Sequence, residues 1–127
     1  MTEPTRIFHN PRCSKSRQAL AILQDRGIEP DIIRYLDTPP DEAMIRNILG
    51  RLNIGARSLI RTGETEYKEL GLASPELSED ELIRAMATHP KLIERPIVLH
   101  QGRAALGRPP EKILEILQGT PDSLPAR

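Results

Sequence analysis

The sequence predicts an α/β fold in which a four-stranded mixed sheet is built from a β-α-β unit, a helical segment and a β-β-α unit, in that order. Two observations carry this prediction. Short apolar stretches bounded by proline, asparagine or glycine occur near both ends of the 127-residue chain, as expected of buried strands. The stretch between them, from about 38 to 92, shows only helical signals, chiefly apolar residues at three- and four-residue spacing.

The first strand, helix and second strand occupy the first 35 residues. Residues 5–9, between two prolines, predict a buried strand. Residues 14–26 carry apolar side chains on one helical face, and Gly27 is a natural C-terminal stop. Residues 31–35 predict the second strand. Since a helix connects the two strands, we expect them to be a parallel pair with a right-handed crossover.

The helical segment contains two start signals. The sequence Thr-Pro-Pro-Asp beginning at Thr38 predicts a helix start with Thr38 as the cap-type residue and prolines in the first turn. The sequence Ser-Glu-Asp-Glu beginning at Ser78 matches a capping box, and the helix that follows it is expected to run to about Thr88. Short helices are predicted over residues 56–61 and 66–70.

Two strands and a helix complete the chain. Residues 97–100 and 103–106 are predicted strands, and the Gln-Gly pair between them predicts a tight hairpin turn. A last helix is predicted to open at Pro109. Residues 120–127 have no periodicity and are expected to form a flexible tail.

This order of elements is that of the thioredoxin-like fold. Residues 1–127 are therefore predicted to form a single thioredoxin-like domain with a helical insertion at about 38–92. A chain of this length buries roughly two-thirds of its unfolded surface, so it needs no disulfide or metal to hold a core.

The charge and cysteine content exclude several classes of function. The 18 basic and 18 acidic side chains give a formal net charge of zero, which disfavours a general nucleic-acid or membrane binder. A single cysteine rules out an internal disulfide and a multi-thiolate zinc site, and the three histidines show no ligand spacing, so no metal site is predicted. The lone thiol, the polar N-terminus and the absence of a long apolar stretch predict a cytoplasmic protein.

The strongest candidate for chemistry is Cys13, where the loop after the first strand becomes the first helix. Backbone N–H groups and the helix dipole stabilise an anion at such a position, and thiols there are often reactive thiolates at neutral pH. The basic side chains of Arg12, Lys15 and Arg17 lie close in sequence and act in the same direction, as would a charged His9. Cys13 is therefore predicted to be a nucleophile rather than an inert buried thiol.

Two arginines stand just before elements of the second half of the sheet. Arg95 and Pro96 precede the third strand, where a thioredoxin-like fold has a cis proline facing the cysteine, and Arg108 precedes the last helix. Arg61 lies in the helical segment and reaches such a site only if that segment folds over the end of the sheet. Guanidinium groups bind tetrahedral oxyanions through paired hydrogen bonds and neutralise charge as a thiolate attacks an anionic centre.

The common phosphate-binding motifs are missing from the sequence. Neither G-x-G-x-x-G nor G-x-x-x-x-G-K occurs. A Cys-x5-Arg loop beginning at Cys13 would need arginine where the chain has Ala19. The mechanism of the low-molecular-weight phosphatases is therefore disfavoured.

At these residues the chain closely resembles the glutaredoxin-dependent arsenate reductases of the thioredoxin fold, and within them a chromosomal subgroup. The matching segments follow the family order across about residues 6–117. They are residues 7–17, 35–40, 59–61, 67–72, 89–98 and 107–111. Together these segments are specific for the family, whereas no single one is.

The resemblance implies roles for individual residues. Cys13 matches the family nucleophile. The oxyanion-binding arginines of the family fall on Arg61, Arg95 and Arg108. His9 matches a residue that helps to hold the thiolate, Pro96 matches the cis proline, and Asn10 is a structural residue beside the site.

The activity implied by the resemblance is the reduction of arsenate to arsenite. The Cys13 thiolate attacks arsenic with loss of water or hydroxide, and an outside thiol resolves the adduct because the chain has no second cysteine. The family assigns that step to glutathione, as a co-substrate, and then to glutaredoxin. No bound metal or organic cofactor is implied, and a monomer is expected. The sequence Ser14-Lys15-Ser16 differs from the small neutral residues of the arsenic-resistance members and is more similar to the chromosomal subgroup.

Two alternatives stay open. A monothiol oxidoreductase acting on glutathione mixed disulfides needs the thiolate and the cis proline but not three arginines. A regulator that docks on RNA polymerase without catalysis is suggested by relatives with a Cys-x-x-Cys motif, although Ser16 stands at the position of their second cysteine.

Overall fold

The computed structural model of the chain describes residues 4–118, with side chains up to Leu117. These residues pack as two units, one formed by residues 4–34 with 95–118 and the other by residues 35–94. The predicted helical insertion falls within the second unit. The predicted tail at 120–127 lies outside the described residues.

Four strands and six α-helices lie within the described part of the chain. The strands are β1 (Arg6–Phe8), β2 (Asp31–Ile33), β3 (Ile97–His100) and β4 (Arg103–Leu106). The helices are α1 (Ser14–Asp25), α2 (Glu42–Leu52), α3 (Ala56–Leu59), α4 (Thr65–Glu69), α5 (Glu79–Thr88) and α6 (Leu114–Gln118). Single 3-10 turns lie at Pro90–Leu92 and Pro110–Ile113.

The strands of the first unit form the predicted four-stranded mixed sheet, and their order in it is β2-β1-β3-β4. β1 pairs with β2 in parallel and with β3 antiparallel, and β3 and β4 form an antiparallel hairpin. β1 and β2 are shorter than the predicted 5–9 and 31–35. Single hydrogen bonds nevertheless extend their pairing at both ends, from Asp31 N–H to the Thr5 carbonyl and from His9 N–H to the Ile33 carbonyl, each 2.8 Å long.

The core of the first unit fixes α1 against one face of the sheet. The strand residues Ile7, Val98 and Ala105 lie in register on that face. They pack with five residues from α1 and the C-terminal turns, namely Ala19, Leu23, Ile113, Ile116 and Leu117. Each large apolar side chain buried in this way contributes roughly 1.5–3 kcal/mol to folding. The helix that begins directly after Cys13 therefore has a fixed place on the sheet.

The ends of α1 and of the β3–β4 hairpin follow the sequence predictions. Gly27 takes a positive φ of 77°, and the N–H groups of Gly27 and Ile28 donate to the carbonyls of Gln24 and Leu23, which is the Schellman arrangement. The hairpin turn consists of Gln101 and Gly102 with φ values of 49° and 80°. Two positive φ angles in a two-residue turn are the geometry that matches the twist of paired strands.

The second helix starts later than predicted. α2 begins at Glu42, and its N-cap is Asp41, whose carboxylate accepts the N–H of Met44 at 2.8 Å. Thr38 was the predicted cap, and that prediction is wrong. The reason is that Pro39 is itself followed by a proline, which disfavours helical backbone at Pro39, so a helix cannot start directly after Thr38.

The capping box of the second unit is confirmed. The Ser78 hydroxyl accepts the N–H of Glu81 at 3.1 Å, and the Glu81 carboxylate accepts the N–H of Ser78 at 2.8 Å. α5 runs to Thr88, as predicted. α3 ends two residues earlier than predicted, because Ile60 leaves the helix and forms an antiparallel bridge with Ile93.

The last helical segment also differs from its prediction. Its first turn, Pro110–Ile113, is a 3-10 helix, and α6 follows directly after it. Between residues 4 and 118, no helix has the length and apolar character needed to cross a membrane.

Candidate active site

Cys13 occupies the N-cap position of α1. Its backbone is extended (φ −96°, ψ 122°), its N–H donates to the Asn10 carbonyl at 2.9 Å, and its carbonyl accepts the Arg17 N–H at 3.0 Å as the first bond of the helix. The residue is half-buried and its thiol is free. Because the first helical N–H groups have no carbonyl partner inside a helix, the start of α1 presents them, with the positive end of the helix dipole, beside Cys13.

The loop before Cys13 is held by its own hydrogen bonds. The Asn10 side-chain oxygen accepts the Arg12 N–H at 3.0 Å, and the Arg17 guanidinium donates to the Pro11 carbonyl at 2.8 Å. Together with the bond from Cys13 to the Asn10 carbonyl, these contacts fix the path of the chain from β1 into α1. Asn10 therefore helps to hold this loop, and its predicted role as a structural residue of the site stays a prediction.

His9 is buried and is paired with Ser16. The His9 Nδ1 atom lies 2.6 Å from Ser16 Oγ, and the same Oγ accepts the Asn10 N–H at 3.0 Å. Burial, with smaller contributions from the positive charges of Arg34 and Arg17, lowers the pKa of His9 from its usual 6.5. The imidazole is therefore neutral at pH 7, and the positive charge that the sequence analysis considered for His9 is not supplied there.

The strand register brings three chain segments to one edge of the sheet. Phe8, the last residue of β1, pairs with Ile97, the first residue of β3. Ile97 also pairs with Leu106, the last residue of β4. The segment leading from β1 to Cys13, the segment entering β3 and the segment leaving β4 therefore meet at the same edge.

The segments before β3 and after β4 are joined directly. The Gly107 N–H donates to the Pro96 carbonyl at 2.8 Å, and Arg108 Nη1 donates to the Arg95 carbonyl at 3.2 Å. The Arg95–Pro96 peptide bond is cis, as the family resemblance implied, and the Arg108–Pro109 bond is also cis.

A Cβ atom on Gly107 would lie only 2.8 Å from Pro96 Cγ. Glycine is needed here because the two segments approach so closely.

Arg95 carries the clearest sign of an anion site. Its Nε and Nη1 atoms are buried and have no hydrogen-bond partner among the described residues. A buried donor without a partner costs about 1–3 kcal/mol, and more when the group is charged. An oxyanion bound to the guanidinium fork would supply the missing acceptors.

Arg61 belongs to the second unit, where two carboxylates contact it. Arg61 Nη1 lies 2.9 Å from Glu64 Oε2, and Arg61 Nε lies 3.6 Å from Glu94 Oε1. The family resemblance places Arg61 among the substrate-binding arginines, and no acidic partner was predicted for it. The role of Arg61 in binding an oxyanion stays a prediction.

Between residues 4 and 118, no group of three or more histidine, cysteine, aspartate or glutamate side chains is arranged to hold a metal ion.

Comparison with known proteins identifies the family. A family model matches residues 8–116 of the chain. The chain belongs to the ArsC family. An arsenate reductase of Neisseria meningitidis serogroup A is 53% identical over 113 residues, which cover 88% of this chain and 97% of that protein. The uncharacterized protein YfgD of Escherichia coli K12 is 52% identical over 118 residues, covering 92% of this chain and 99% of YfgD.

A solved structure of an ArsC-family protein shows the same fold. The arsenate reductase from Vibrio cholerae superposes with a TM-score of 0.87 at 48% sequence identity, over 91% of this chain and 99% of that one. The predicted thioredoxin-like α/β fold and the family resemblance are both confirmed.

Sequence reasoning missed four residues that contact predicted site residues. Ser16 contacts His9, Gly107 approaches Pro96, and Glu64 and Glu94 contact Arg61. Ser16 and Gly107 stand inside the segments that carry the resemblance, so a small residue within each motif was the available signal. No sequence motif around Glu64 or Glu94 predicts their contact with Arg61, because that contact depends on how the second unit folds.

Proposed function

We propose that this chain is an arsenate reductase in which Cys13 is the nucleophile and Arg95 and Arg108 bind the substrate oxyanion. One observation carries the proposal. Two buried donors of Arg95 lack a partner among the described residues, on a segment that shares its sheet edge with the Cys13 loop and with Arg108. Arsenate reductases 53% and 42% identical to the chain support the choice of arsenate as substrate.

The first proposed step forms a bond between sulfur and arsenic. The Cys13 thiolate donates an electron pair to arsenic, and one arsenate oxygen leaves as water after taking up protons. Arsenic stays in the +5 state. The fork of Arg95 and the guanidinium of Arg108 would neutralise the oxyanion as the anionic thiolate approaches, which is the main obstacle to this attack.

The second step needs two electrons from outside the chain, since Cys13 is its one cysteine. Glutathione thiolate attacks the Cys13 sulfur, and the electron pair of the S–As bond passes to arsenic, which leaves as arsenite in the +3 state. Cys13 is then in a mixed disulfide with glutathione. Glutaredoxin takes up the glutathione moiety by thiol–disulfide exchange and regenerates the Cys13 thiolate.

Two further roles are part of the proposal. Arg61 contributes a third guanidinium to oxyanion binding, as the family resemblance implies. His9, neutral at pH 7 because burial lowers its pKa, acts through hydrogen bonding rather than through charge. Its bond to Ser16 holds the ring in one orientation beside the loop that leads to Cys13.

The test is a coupled assay of NADPH oxidation through glutathione reductase, with arsenate, glutathione and a glutaredoxin supplied. We expect turnover that requires arsenate and is lost in Cys13→Ser. Reactions without arsenate measure background thiol exchange. Turnover that persists in Cys13→Ser, or a wild-type protein with no arsenate-dependent turnover, would contradict the proposal.

A further inference from the structure

Arg61 lies between two glutamates of its own unit. Glu64 Oε2 is 2.9 Å from Arg61 Nη1, within hydrogen-bonding distance, and Glu94 Oε1 is 3.6 Å from Arg61 Nε. The exposed fractions of the three side chains are 27% for Arg61 and 26% for each glutamate. The cluster is therefore largely withdrawn from water.

The backbone of the second unit explains this arrangement. The Ile60–Ile93 bridge is flanked by hydrogen bonds from Arg61 N–H to the Leu92 carbonyl (2.7 Å) and from Glu94 N–H to the Leu59 carbonyl (2.9 Å). Arg61 and Glu94 therefore flank the bridge diagonally, each directly after one of the two bridging isoleucines. Glu64 is the N-cap of α4 but its side chain makes no capping bond, and its carboxylate is directed to Arg61 instead.

The cluster carries a formal charge of −1, because one guanidinium faces two carboxylates. Nη1 of the guanidinium is within hydrogen-bonding distance of Glu64, and Nε lies in the longer ion pair with Glu94. Partial burial weakens the screening of these charges by water. An oxyanion that binds Arg61 must therefore displace a carboxylate or tolerate its repulsion.

We propose that Glu64 and Glu94 are positioning residues that compete with the oxyanion substrate for Arg61 and so lower the affinity of the protein for arsenate. This inference rests on the proposed function, in which Arg61 contributes to oxyanion binding. The two glutamates hold the Arg61 side chain in place when substrate is absent, and binding exchanges a carboxylate for the oxyanion. Removing either carboxylate charge then favours the anion.

The test compares Glu64→Gln and Glu94→Gln with Glu76→Gln, which removes the same charge from an exposed residue of the same unit. Arsenate binding is measured by calorimetry in a Cys13→Ser background, so that no chemistry follows binding. We expect each glutamine variant at 64 or 94 to bind arsenate about three- to tenfold more tightly than the Glu76→Gln control. With Cys13 present, KM for arsenate should fall by a similar factor while kcat stays within about twofold.

Addition of Arg61→Ala separates competition at Arg61 from a general change in charge. The gain in affinity from either glutamine substitution should disappear in the Arg61→Ala background. A gain that persists without Arg61, or glutamine variants that bind arsenate no more tightly than Glu76→Gln, would overturn the inference even if arsenate is reduced. Arsenate that binds but is never reduced would overturn the reductase proposal alone. Failure of every variant to bind arsenate would overturn both.

Discussion

Ser16 Oγ lies 2.6 Å from Nδ1 of His9, and both residues are buried. The same oxygen accepts the N–H of Asn10, so a single hydroxyl in the first turn of α1 holds both the imidazole and the loop that leads to Cys13. This contact joins the end of β1 to the start of the helix that bears the candidate nucleophile.

Replacing Ser16 with alanine should destabilise the protein. The buried Nδ1 of His9 and the N–H of Asn10 would both lose their partner, and a buried polar group without a partner costs about 1–3 kcal/mol. The free energy of unfolding in urea measures the effect. Ser14→Ala, at an exposed position of the same helical turn, should change stability by less than about 0.5 kcal/mol. Equal stability of the two variants would show that the Ser16 contact contributes nothing.

Protonation of His9 should make the fold less stable in acid. Because burial lowers the pKa of His9 from 6.5, the unfolded chain binds a proton more readily than the folded one as the pH falls below 6.5. Stability is therefore unaffected by His9 above that pH and is lost progressively as the pH falls toward the lowered pKa. An NMR titration should show the His9 ring protonating below pH 6.5. The His9 resonance is assigned as the one that is missing from the spectrum of His9→Asn. In the same variant, the free energy of unfolding in urea should fall less steeply as the pH is lowered. Titration of His9 above pH 6.5 would contradict the direction of this shift.

The guanidinium groups of Arg95 and Arg108 should be needed for the use of arsenate. Loss of a charge-assisted hydrogen bond costs roughly 1.5–3 kcal/mol, so Arg95→Ala and Arg108→Ala should each lower kcat/KM by about one to two orders of magnitude. The control is Arg103→Ala, an exposed arginine at the opposite end of the same hairpin, which should leave kcat/KM unchanged. A wild-type kcat/KM in Arg95→Ala would remove that arginine from the site.

The same arginine variants distinguish the reductase from the two alternative functions. A monothiol oxidoreductase acting on glutathione mixed disulfides depends on Cys13 but not on the arginines, so its activity should survive Arg95→Ala. A regulator bound to RNA polymerase should co-purify with polymerase even as Cys13→Ser. Arsenate-dependent turnover that is lost in both Cys13→Ser and Arg95→Ala favours the reductase over both alternatives.

Gly107 should tolerate no side chain. A Cβ atom there would lie 2.8 Å from Pro96 Cγ, so Gly107→Ala must push apart the segments that carry Arg95 and Arg108. We expect a loss of about 1–3 kcal/mol in stability together with a lower kcat/KM for arsenate. Gly50→Ala, in the last turn of α2 with nothing within 4 Å of the added Cβ, should instead stabilise the protein by up to about 1 kcal/mol. A Gly107→Ala variant with wild-type stability and activity would show that this contact does not position the arginines.

Short sequence motifs predicted the helix caps, helix ends and turns, because these features are stabilised by contacts between residues close together in the chain. The capping box at Ser78, the helix stop at Gly27 and the two-residue turn before Arg103 each depend on neighbouring residues, and all three were predicted. The start of α2 was mispredicted at Thr38. Thr38 and Asp41, which are both common N-cap residues, flank the prolines there. The structure shows that the Asp41 carboxylate is the one that accepts a free helical N–H.

The sequence by itself determined the sheet and helix order, the position of Cys13 at the start of α1 and the placing of Arg95 and Arg108 beside the β3–β4 hairpin. Short bounded apolar stretches, helical spacing, turns and caps are properties of nearby residues, which is why they can be found without coordinates. Only the tertiary structure showed that the pKa of His9 is lowered, because the main cause of that shift is burial. Only the tertiary structure gave Arg61 two acidic partners, because Glu94 reaches it through an antiparallel bridge between residues 33 positions apart in the chain, Ile60 and Ile93.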